Sequence, residues 1–402
     1  MKILVISTWF PFPPDNGSKA RTYNLLRHLG ARHTLDLLAL SQSERDTNYL
    51  DEVRQFCRRI ALFPEPKFHP KKLRSYLGFF SPTPRYFQAH HCGELESLSR
   101  VWAQEESYDV GLAVTLGAGP YAAKLDVPFR VLDQHNVESQ VIKRECRNGR
   151  SILRRLRYAP TWIKAEGFER AVARRFDAIT VVSEQERGLM EGLLGDGHGK
   201  EICVVPNGID PGLLEYRPTM REEAVLLFTG ALTYKPNYDA AVRLCEDILP
   251  AVRTRFPHAR LRITGGFEGV DVSSLADTPG VELTGYVEDI RPVVASASVL
   301  VVPLHFGGGT RLKILEAMAL GTPVVSTPIG AEGLEVQDGV HILLGETTTE
   351  LADRTSRVLA DPDWAVKIAE SARELAREHY QWPMIAGRFE RVLVQSREKE
   401  IV

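Results

Sequence analysis

Short runs of apolar residues alternate with longer segments of helical periodicity along almost the whole chain. Such runs, rich in Val, Ile and Leu, are typical of strands that are buried on both faces. They predict strands at 2–7, 34–40, 109–114, 129–132, 178–182, 224–229, 260–264, 281–284, 298–302, 323–326 and 341–344. Because helical stretches separate these runs, we expect parallel sheets with crossover helices, which is an α/β fold.

The predicted strands fall into two sets, separated by the segment Val-Val-Pro-Asn-Gly-Ile-Asp-Pro-Gly at 204–212. Its Asn-Gly pair and two prolines are typical of an ordered connector. A chain of 402 residues also exceeds the size at which a single hydrophobic core usually stops growing. We therefore predict two Rossmann-like, doubly wound domains, 1–207 and 208–379, which face a central cleft at the carboxyl ends of their strands.

The tail of the chain has helical periodicity without further strand runs. It predicts two helices, at 363–378 and 383–398, with Tyr380, Trp382 and Pro383 at the break between them.

Composition and charge narrow the function classes. Lys and Arg total 50 against 52 for Asp and Glu, and a net charge of −2 disfavours a nucleic-acid partner. Five cysteines without a Cys-x-x-Cys disfavour both a disulfide framework and a zinc site, so we expect a cytoplasmic protein. The longest mostly apolar segment, 293–304, is far shorter than the roughly 20 residues of a membrane span.

The strongest chemical signal is a glycine turn that follows the predicted strand 298–302. Gly307, Gly308 and Gly309 precede a predicted helix that begins at Thr310, and backbone N–H groups at such a turn attract an anion. Thr310 is a suitable N-cap. Arg311 and Lys313 can neutralise a diphosphate, and Glu316 can accept hydrogen bonds from ribose hydroxyls. An ordinary surface helix is the alternative, but three glycines followed by Thr-Arg-x-Lys favour the phosphate site.

A second candidate lies after the strand 129–132, where polar side chains follow a buried-type strand. His135 stands among Asp133, Asn136 and Glu138, at the position where an open sheet presents side chains to the cleft. We interpret His135 as an acid, a base or a substrate-orienting group. The alternative is a hydrogen-bonded structural histidine.

Weaker candidates lie at other strand ends and helix starts. Gly17 follows the first strand and opens a helix, Lys235 stands between a strand and a helix, and Gly266 and Val287 lie just after two more strands. Turn chemistry or an ordinary surface position explains each of them equally well on its own. The dinucleotide fingerprint G-x-G-x-x-G is missing after the first strand, which disfavours an NAD-dependent enzyme.

One segment is strongly basic. Residues 143–164 contain eight Lys and Arg against a single acidic residue, with Leu and Trp interleaved. This pattern indicates peripheral contact with anionic lipid at the inner face of the membrane, or with a phosphorylated acceptor. A solvated helix face is the alternative. The lone Asp-x-Asp at 361–363 lies before the tail helices, where we interpret it as a helix cap and not as a metal site.

Taken together, these residues resemble retaining glycosyltransferases of family 4, which have the GT-B fold. The likeness runs from Gly17 through Val-Pro-Asn-Gly-Ile at 205–209 to the glycine motif at 307–325. It implies transfer of a sugar from a nucleoside-diphosphate sugar to an acceptor, with retention of configuration and with no metal or other cofactor. It also implies that the first domain binds the acceptor, that the second binds the donor, and that a helix at 380–402 crosses back to the first domain.

The resemblance also assigns roles by position. Glu316 matches the second acid of the family's Glu-x7-Glu motif, whereas the first acid falls at Gly308, as in a Gly-Gly-Thr-Arg-x-Lys branch of the family. His135 matches the family's cleft histidine. The family's arginine in the donor domain falls at Ala231. The predicted catalytic residues are His135, Arg311 and Lys313, and the predicted donor-binding residues are Gly17, Lys235, Gly266, Val287, Gly308, Gly309, Thr310, Arg311, Lys313 and Glu316.

Two other functions stay open at this point: a sugar-nucleotide epimerase of the same fold, and a non-catalytic nucleotide-binding scaffold. The acceptor is equally open. The basic segment favours a lipid-linked or cell-envelope saccharide, and a small-molecule natural product is the alternative.

Overall fold

The computed structural model describes residues 1–66, 81, 83–148, 152–217, 220–307 and 311–398. The chain divides into two compact units. One contains residues 1–206 together with the chain from residue 383 onward, and the other contains residues 207–382. Each unit is built on a parallel sheet of its own, which confirms the predicted α/β class.

The first unit is a seven-stranded sheet in the order β3-β2-β1-β4-β5-β6-β7, and every neighbouring pair is parallel. The strand order reverses between β1 and β4. The strands are β1 Lys2–Ser7, β2 Thr34–Ser41, β3 Arg59–Pro64, β4 Val110–Val114, β5 Phe129–Gln134, β6 Ala178–Val181 and β7 Glu201–Val204.

Two of these strands, β3 and β7, are not among the predicted ones, and both lie at an edge of the sheet. An edge strand pairs on one side only, and the residues of β3 and β7 are mostly half-buried. They therefore tolerate charged residues such as Arg59 and Glu201. The central strands are different, because residues 3–6 of β1 are fully buried and accordingly form a continuous apolar run.

Helices cover the sheet of the first unit. The first of them begins at Gly17, because the side chain of Asn16 accepts hydrogen bonds from the N–H groups of Ser18 and Lys19 at 3.1 and 3.0 Å. The helices are Gly17–Gly30, Glu44–Tyr49 (a 3₁₀-helix), Leu50–Arg54, Arg85–Ala89, Gly93–Glu105, Thr115–Ala122, Glu138–Asn148, Ile152–Ala173, Glu184–Leu194 and Trp382–Glu398.

The second unit is a six-stranded parallel sheet in the order β10-β9-β8-β11-β12-β13. All six strands lie where the apolar runs predict them. They are β8 Val225–Thr229, β9 Arg260–Thr264, β10 Val281–Gly285, β11 Val299–Val302, β12 Val324–Ser326 and β13 Leu343–Leu344. The helices are Pro211–Glu215, Lys235–Arg243, Leu244–Ile248 (a π-helix), Leu249–Arg253, Ser273–Ala276, Ile290–Ser296, Leu312–Ala319, Thr348–Ala360 and Pro362–His379.

The two ends of the second unit meet each other. The N–H of Ile209 donates to the carbonyl of Tyr380 at 2.7 Å, and the N–H of Trp382 donates to the carbonyl of Ile209 at 3.1 Å. A Cβ at Gly208 would come within 2.8 Å of the Trp382 ring, so glycine is required for this close approach. The entry and the exit of the unit therefore run side by side.

The helix after the glycine turn starts later than the sequence predicts. It begins at Leu312, with Arg311 in the N-cap position and without a side-chain cap, so the prediction that Thr310 opens and caps the helix is wrong. The first helical hydrogen bond, from the N–H of Ile314, reaches the carbonyl of Arg311 at 3.0 Å. Gly308, Gly309 and Thr310 themselves lie outside the described residues.

Among the residues that the structure describes, no helix combines the length and the apolar character needed to cross a membrane. Most of the basic segment 143–164 has side chains outside that set, so its contact with a membrane stays a prediction. Of its described cations, Lys143 places its Nζ 4.8 Å from the centroid of the Trp162 ring.

Candidate active site

After β11 the chain reaches Gly307, whose backbone packs tightly against the side chain of Arg311. Gly307 has a φ of +122°, a conformation that favours glycine, and a Cβ there would come within 2.9 Å of Nη2 of Arg311 and 3.2 Å of the Tyr234 hydroxyl. Arg311 is 8% exposed. Its guanidinium therefore lies against the backbone of the glycine turn that the sequence singles out.

Lys313 lies one step into the helix Leu312–Ala319 and points toward the end of β8. Its Nζ donates to Oδ1 of Asn237 at 3.1 Å and lies 4.2 Å from the centroid of the Phe228 ring. A Cβ at Gly230, whose φ is +140°, would come within 2.7 Å of this Nζ, so glycine makes room for the ammonium. Burial, together with the charge of Arg311, lowers the pKa of Lys313 to about 7.

Glu316 follows Lys313 by three residues, a spacing that places both on one side of the helix. Its side chain is half-buried, and burial raises the pKa of its carboxyl although the charge of Lys313 opposes the rise. Glu316 has no hydrogen-bond partner among the residues described here, so its oxygens are free to accept bonds from a ligand. We refer to Arg311, Lys313 and Glu316 as the charged cluster.

The turns after β8, β9 and β10 are hydrogen-bonded to one another beside this cluster. The N–H of Gly230 donates to Thr264, that of Leu232 donates to Gly266, and that of Gly265 donates to Gly285, at 2.8 to 2.9 Å. Gly266 is therefore brought beside the Gly230 turn. Val287 is half-buried and follows β10.

Lys235 differs from the other predicted cations. It is exposed, and its Nζ forms an ion pair with Oδ2 of Asp239 at 2.6 Å, one turn along the same helix. Its proposed contact with a diphosphate would require this surface pair to open, so its role stays a prediction.

In the first unit, His135 follows β5 and is 7% exposed. Its Nε2 lies 3.3 Å from Oδ2 of Asp133, and its ring centroid lies 5.7 Å from that of Trp9. Burial lowers the pKa of His135 although Asp133 opposes the change. An ionised Asp133 accepts hydrogen bonds only, so Nε2 carries the proton of the neutral ring and Nδ1 is left as an acceptor.

Arg21 is the site residue that sequence reasoning misses. It is fully buried, and its Nη2 lies 2.7 Å from Oδ1 of Asp133, while its Nη1 donates to the carbonyls of Val205 and Pro206 at 2.9 and 3.0 Å. Burial alone would raise the pKa of Asp133, but Arg21 and His135 hold it well below its usual range. The available signal is spacing, because Arg21 precedes Leu25 and Leu29 by four and eight residues and so shares their buried face.

Gly17, the remaining first-unit candidate, is exposed at the start of its helix. The side chain of Asn16 already accepts hydrogen bonds from the N–H groups of Ser18 and Lys19. An anion at this helix start would have to displace those bonds, so the role of Gly17 stays a prediction.

Sequence reasoning also misses a cavity of about 430 Å³ in the first unit, which we call the first-unit cavity. Trp9, Gln42, Glu65 and Thr115, from the ends of four different strands, line it together with Glu138. Within the described part of the chain, no group of three His, Cys, Asp or Glu side chains is placed to hold a metal ion.

Two family models match the chain. The model of the glycosyl transferase 4-like domain matches residues 16–208, and the model of glycosyl transferases group 1 matches residues 223–361. Together they cover most of both units.

The chain belongs to the group 1, family 4-like glycosyltransferases. This membership confirms the resemblance drawn from the glycine motif and makes the chain a nucleotide-sugar glycosyltransferase.

Curated relatives agree with this family. An uncharacterized 44.6 kDa protein in the cps region of Klebsiella pneumoniae is 21% identical over 394 residues, which are 94% of this chain and 96% of that protein. The glycogen synthase of Mycobacterium tuberculosis is 28% identical over 243 residues, which are 57% of this chain and 56% of that enzyme. The chain thus spans nearly all of the first relative but only about half of the second.

Solved structures show the same fold. Anabaena Alr3699/HepE in complex with UDP is 17% identical with a TM-score of 0.70, and the match covers 98% of this glycosyltransferase and 100% of HepE. Sucrose-phosphate synthase from Thermosynechococcus elongatus is 18% identical with a TM-score of 0.72 and 98% coverage of both chains. The expected GT-B fold is confirmed.

Proposed function

We propose that this glycosyltransferase moves a sugar from a nucleoside-diphosphate donor to an acceptor hydroxyl with retention of configuration and without a metal ion. The observation that carries the proposal is the charged cluster, in which Arg311 precedes a short helix after a glycine turn and Lys313 and Glu316 lie on that helix. The second unit is then the donor-binding domain and the first unit the acceptor-binding domain. We expect the enzyme to act in the cytoplasm.

Arg311 and Lys313 supply the charge that a diphosphate needs. Burial and the nearby charge of Arg311 lower the pKa of Lys313 to about 7, so holding the two positive charges close together is energetically unfavourable. A bound diphosphate removes that cost, because its negative charges favour the ammonium form. The same pair then stabilises the charge that develops on the diphosphate as it leaves the sugar.

Glu316 and the strand-end glycines suit the nucleoside. The carboxylate of Glu316 has no hydrogen-bond partner in the described chain, so it can accept hydrogen bonds from both hydroxyls of a ribose. The turns at Gly230, Gly266 and Gly285 present backbone groups and carry no side chain of their own, so a flat base can approach them closely. Lys235 is a further, weaker cation of this site.

His135 acts from the first unit. Its Nε2–H is held by Asp133, so Nδ1 accepts a hydrogen bond from a sugar hydroxyl of the donor or the acceptor. Arg21 keeps Asp133 ionised and thereby fixes this tautomer. His135 is thus a substrate-orienting residue in our proposal.

The reaction needs no side-chain nucleophile. The bond between the anomeric carbon and the diphosphate oxygen breaks, and the acceptor oxygen forms its bond to that carbon on the same face. The acceptor's proton passes to an oxygen of the departing diphosphate. Retention follows because entry and departure share one face, and catalysis consists of positioning and charge stabilisation.

Relatives support this donor and an envelope saccharide as product. HepE has been solved with UDP and with UDP-glucose, and the Klebsiella relative lies in the cps region. An exopolysaccharide phosphotransferase of Streptomyces coelicolor is 23% identical over 413 residues, which are 93% of this chain but 38% of that protein. We propose a uridine nucleotide donor and a saccharide or lipid-linked acceptor of polysaccharide or glycolipid synthesis.

Calorimetric titration with UDP, GDP, dTDP and NAD tests the donor site. We expect saturable binding of UDP and its loss in Glu316→Ala, whereas preferred binding of GDP or dTDP would refute the uridine donor. The matched control is Glu370→Ala, an exposed glutamate of the helix Pro362–His379, which should bind like the wild type. Binding of NAD, or no nucleotide binding at all, would contradict the proposal.

Turnover assays with the sugar form of the nucleotide that binds distinguish the transferase from an epimerase and from a non-catalytic scaffold. Release of the nucleoside diphosphate that depends on an added acceptor supports the transferase. Conversion of the donor sugar without an acceptor would indicate an epimerase, and tight binding without turnover on any acceptor would indicate a scaffold.

A further inference from the structure

The first-unit cavity lies where a parallel sheet is expected to bind ligands. It opens at the carboxyl ends of β1 to β4, and the strand order reverses between β1 and β4. Its volume of about 430 Å³ is in the range of small-molecule sites. The described residues that line it all belong to the first unit.

Aromatic side chains form much of its wall. Phe87 and Phe168 stack with their ring centroids 4.7 Å apart, and Tyr86 packs on His90 with centroids 4.2 Å apart. Trp9 contributes a further ring. Flat apolar faces of this kind can pack against the C–H faces of a sugar ring, and they can also pack against other planar groups.

The charges of the lining are unfavourable to an anion. No Lys or Arg occurs among its described residues, whereas Glu65 and Glu138 both line it. Glu65 faces Nε2 of His90 at 3.8 Å. The carboxyl of Glu138 has no hydrogen bond or ion pair within the described chain, and burial together with the charge of Glu169 raises its pKa to about 7. A second negative charge placed here would be repelled by an ionised Glu138.

The position of Glu138 is fixed by its neighbours. Glu169 is fully buried and accepts the N–H groups of Glu138 and Ser139 at 2.8 and 2.9 Å, so it holds the start of the helix Glu138–Asn148. The Glu138 side chain itself is left for the cavity. It is therefore a preorganised acceptor of hydrogen bonds.

Thr115 adds a second polar group in an unusual conformation. It has a φ of +66°, which is rare for a β-branched residue, and it stands at the turn between β4 and the helix Thr115–Ala122. Thr115 lines the cavity, and its hydroxyl has no hydrogen-bond partner among the described residues. Strained residues of this kind cluster at ligand sites, where the surrounding structure holds them in place.

We propose that the first-unit cavity binds the acceptor and takes an uncharged sugar unit, with Glu138 and Thr115 bonding its hydroxyls and the aromatic wall covering its apolar faces. The inference rests on the proposed transferase function and narrows its acceptor class. Glu138 is then the residue that discriminates against phosphorylated or carboxylated sugars.

Saturation-transfer NMR tests the inference with defined probes. The methyl glycosides of glucose, galactose, mannose and N-acetylglucosamine are compared with their 6-phosphates or uronates, and p-nitrophenol represents a small hydrophobic acceptor. Above the pKa of Glu138, we expect at least one neutral glycoside to bind at least about tenfold more tightly than its anionic counterpart.

Two variants and one control locate the binding. Glu138→Gln should weaken the neutral glycoside about tenfold and reduce the discrimination against its phosphate. Tyr86→Leu, at a side chain that is 61% exposed and therefore tolerant of change, should also weaken it. Glu94→Gln, an exposed glutamate of the helix Gly93–Glu105, should leave binding unchanged. Thermal melting confirms that each variant is folded.

Preferred binding of phosphates, preferred binding of p-nitrophenol, no binding of any neutral glycoside, or an unchanged Glu138→Gln would each overturn the inference. UDP titration of the same samples keeps the two proposals apart. Nucleotide binding without sugar binding would refute only the cavity's assignment, whereas sugar binding without nucleotide binding would refute the donor site.

Discussion

The charged cluster of the second unit and the first-unit cavity are built in opposite ways. The cluster comes from one stretch of chain, in which Arg311 occupies the N-cap position of the short helix that carries Lys313 and Glu316. The cavity draws its described lining from the ends of four strands and from four helices that lie far apart in sequence. A short motif can therefore reveal the cluster, whereas only the folded sheet assembles the cavity.

The charged cluster and the surroundings of His135 also differ in how their charges are balanced. The cluster holds two cations close together, so it gains when an anion arrives. Around His135, by contrast, each charge is already balanced, since Arg21 and Asp133 form a buried pair. The difference indicates that the cluster is built to bind charge, while the pair is built to hold neighbouring groups in position.

The largest expected effect is on the balanced pair. Arg21→Met leaves Asp133 as an uncompensated buried charge, and we expect it to lower the free energy of unfolding by about 3 kcal/mol or more. Chemical denaturation measures this change. Lys2→Met removes a surface pair with Glu106 in the same unit and should cost no more than about 1 kcal/mol. Equal effects of the two variants would show that Arg21 has no special structural role.

The next effect concerns the cluster. Arg311→Ala should weaken binding of the nucleoside diphosphate about 100-fold, because a mostly buried cation is removed from the site of the phosphates. Calorimetry measures the affinity, and melting checks that the fold is retained. If affinity and turnover were both unchanged, Arg311 would have no part in the clamp.

A smaller effect is expected from pH. Burial lowers the pKa of Lys313 to about 7, and a bound diphosphate favours its charged form, so diphosphate binding takes up a proton above pH 7. Affinity for UDP-glucose, whose diphosphate stays ionised throughout, should be highest below pH 7 and fall by up to about tenfold per unit above it.

Lys313→Arg provides the control for this pH dependence, because arginine keeps its charge throughout the range. Arg311 also keeps its charge throughout the range. An equally steep loss above pH 7 in Lys313→Arg would assign the pH dependence to another group.

The smallest effect is expected at Lys235. Its ammonium is exposed and already paired with Asp239, so Lys235→Ala should change nucleotide affinity by no more than about threefold. A loss as large as that of Arg311→Ala would show that the surface pair opens and that Lys235 belongs to the clamp.

The sequence predicts the central strands well because a strand buried on both faces must be apolar throughout. Runs such as residues 3–6 and 299–302 leave little ambiguity. The edge strands β3 and β7 escape the prediction because a half-buried strand carries charged residues. The helix after the glycine turn was placed two residues too early, since Thr310 has the chemistry of a cap whereas Arg311 occupies the N-cap position.

The residues of the candidate site also differ in how readily the sequence predicts them. Arg311 and Lys313 are predicted from the sequence because they follow the glycine turn after β11, and His135 is predicted because it directly follows β5. Arg21 is hidden by its charge, which suggests a surface position although its spacing places it on the buried face. Thr115 gives no signal at all, since only the folded turn between β4 and its helix reveals its positive φ.

The hydrogen bonds between Ile209 and the segment 380–382 hold the start and the end of the second unit side by side. A segment whose two ends lie together can be removed or replaced as a single cassette, with only two neighbouring joins to repair. In the proposed division of roles, in which the second unit binds the donor, exchange of this one segment would change the donor while the first unit is kept.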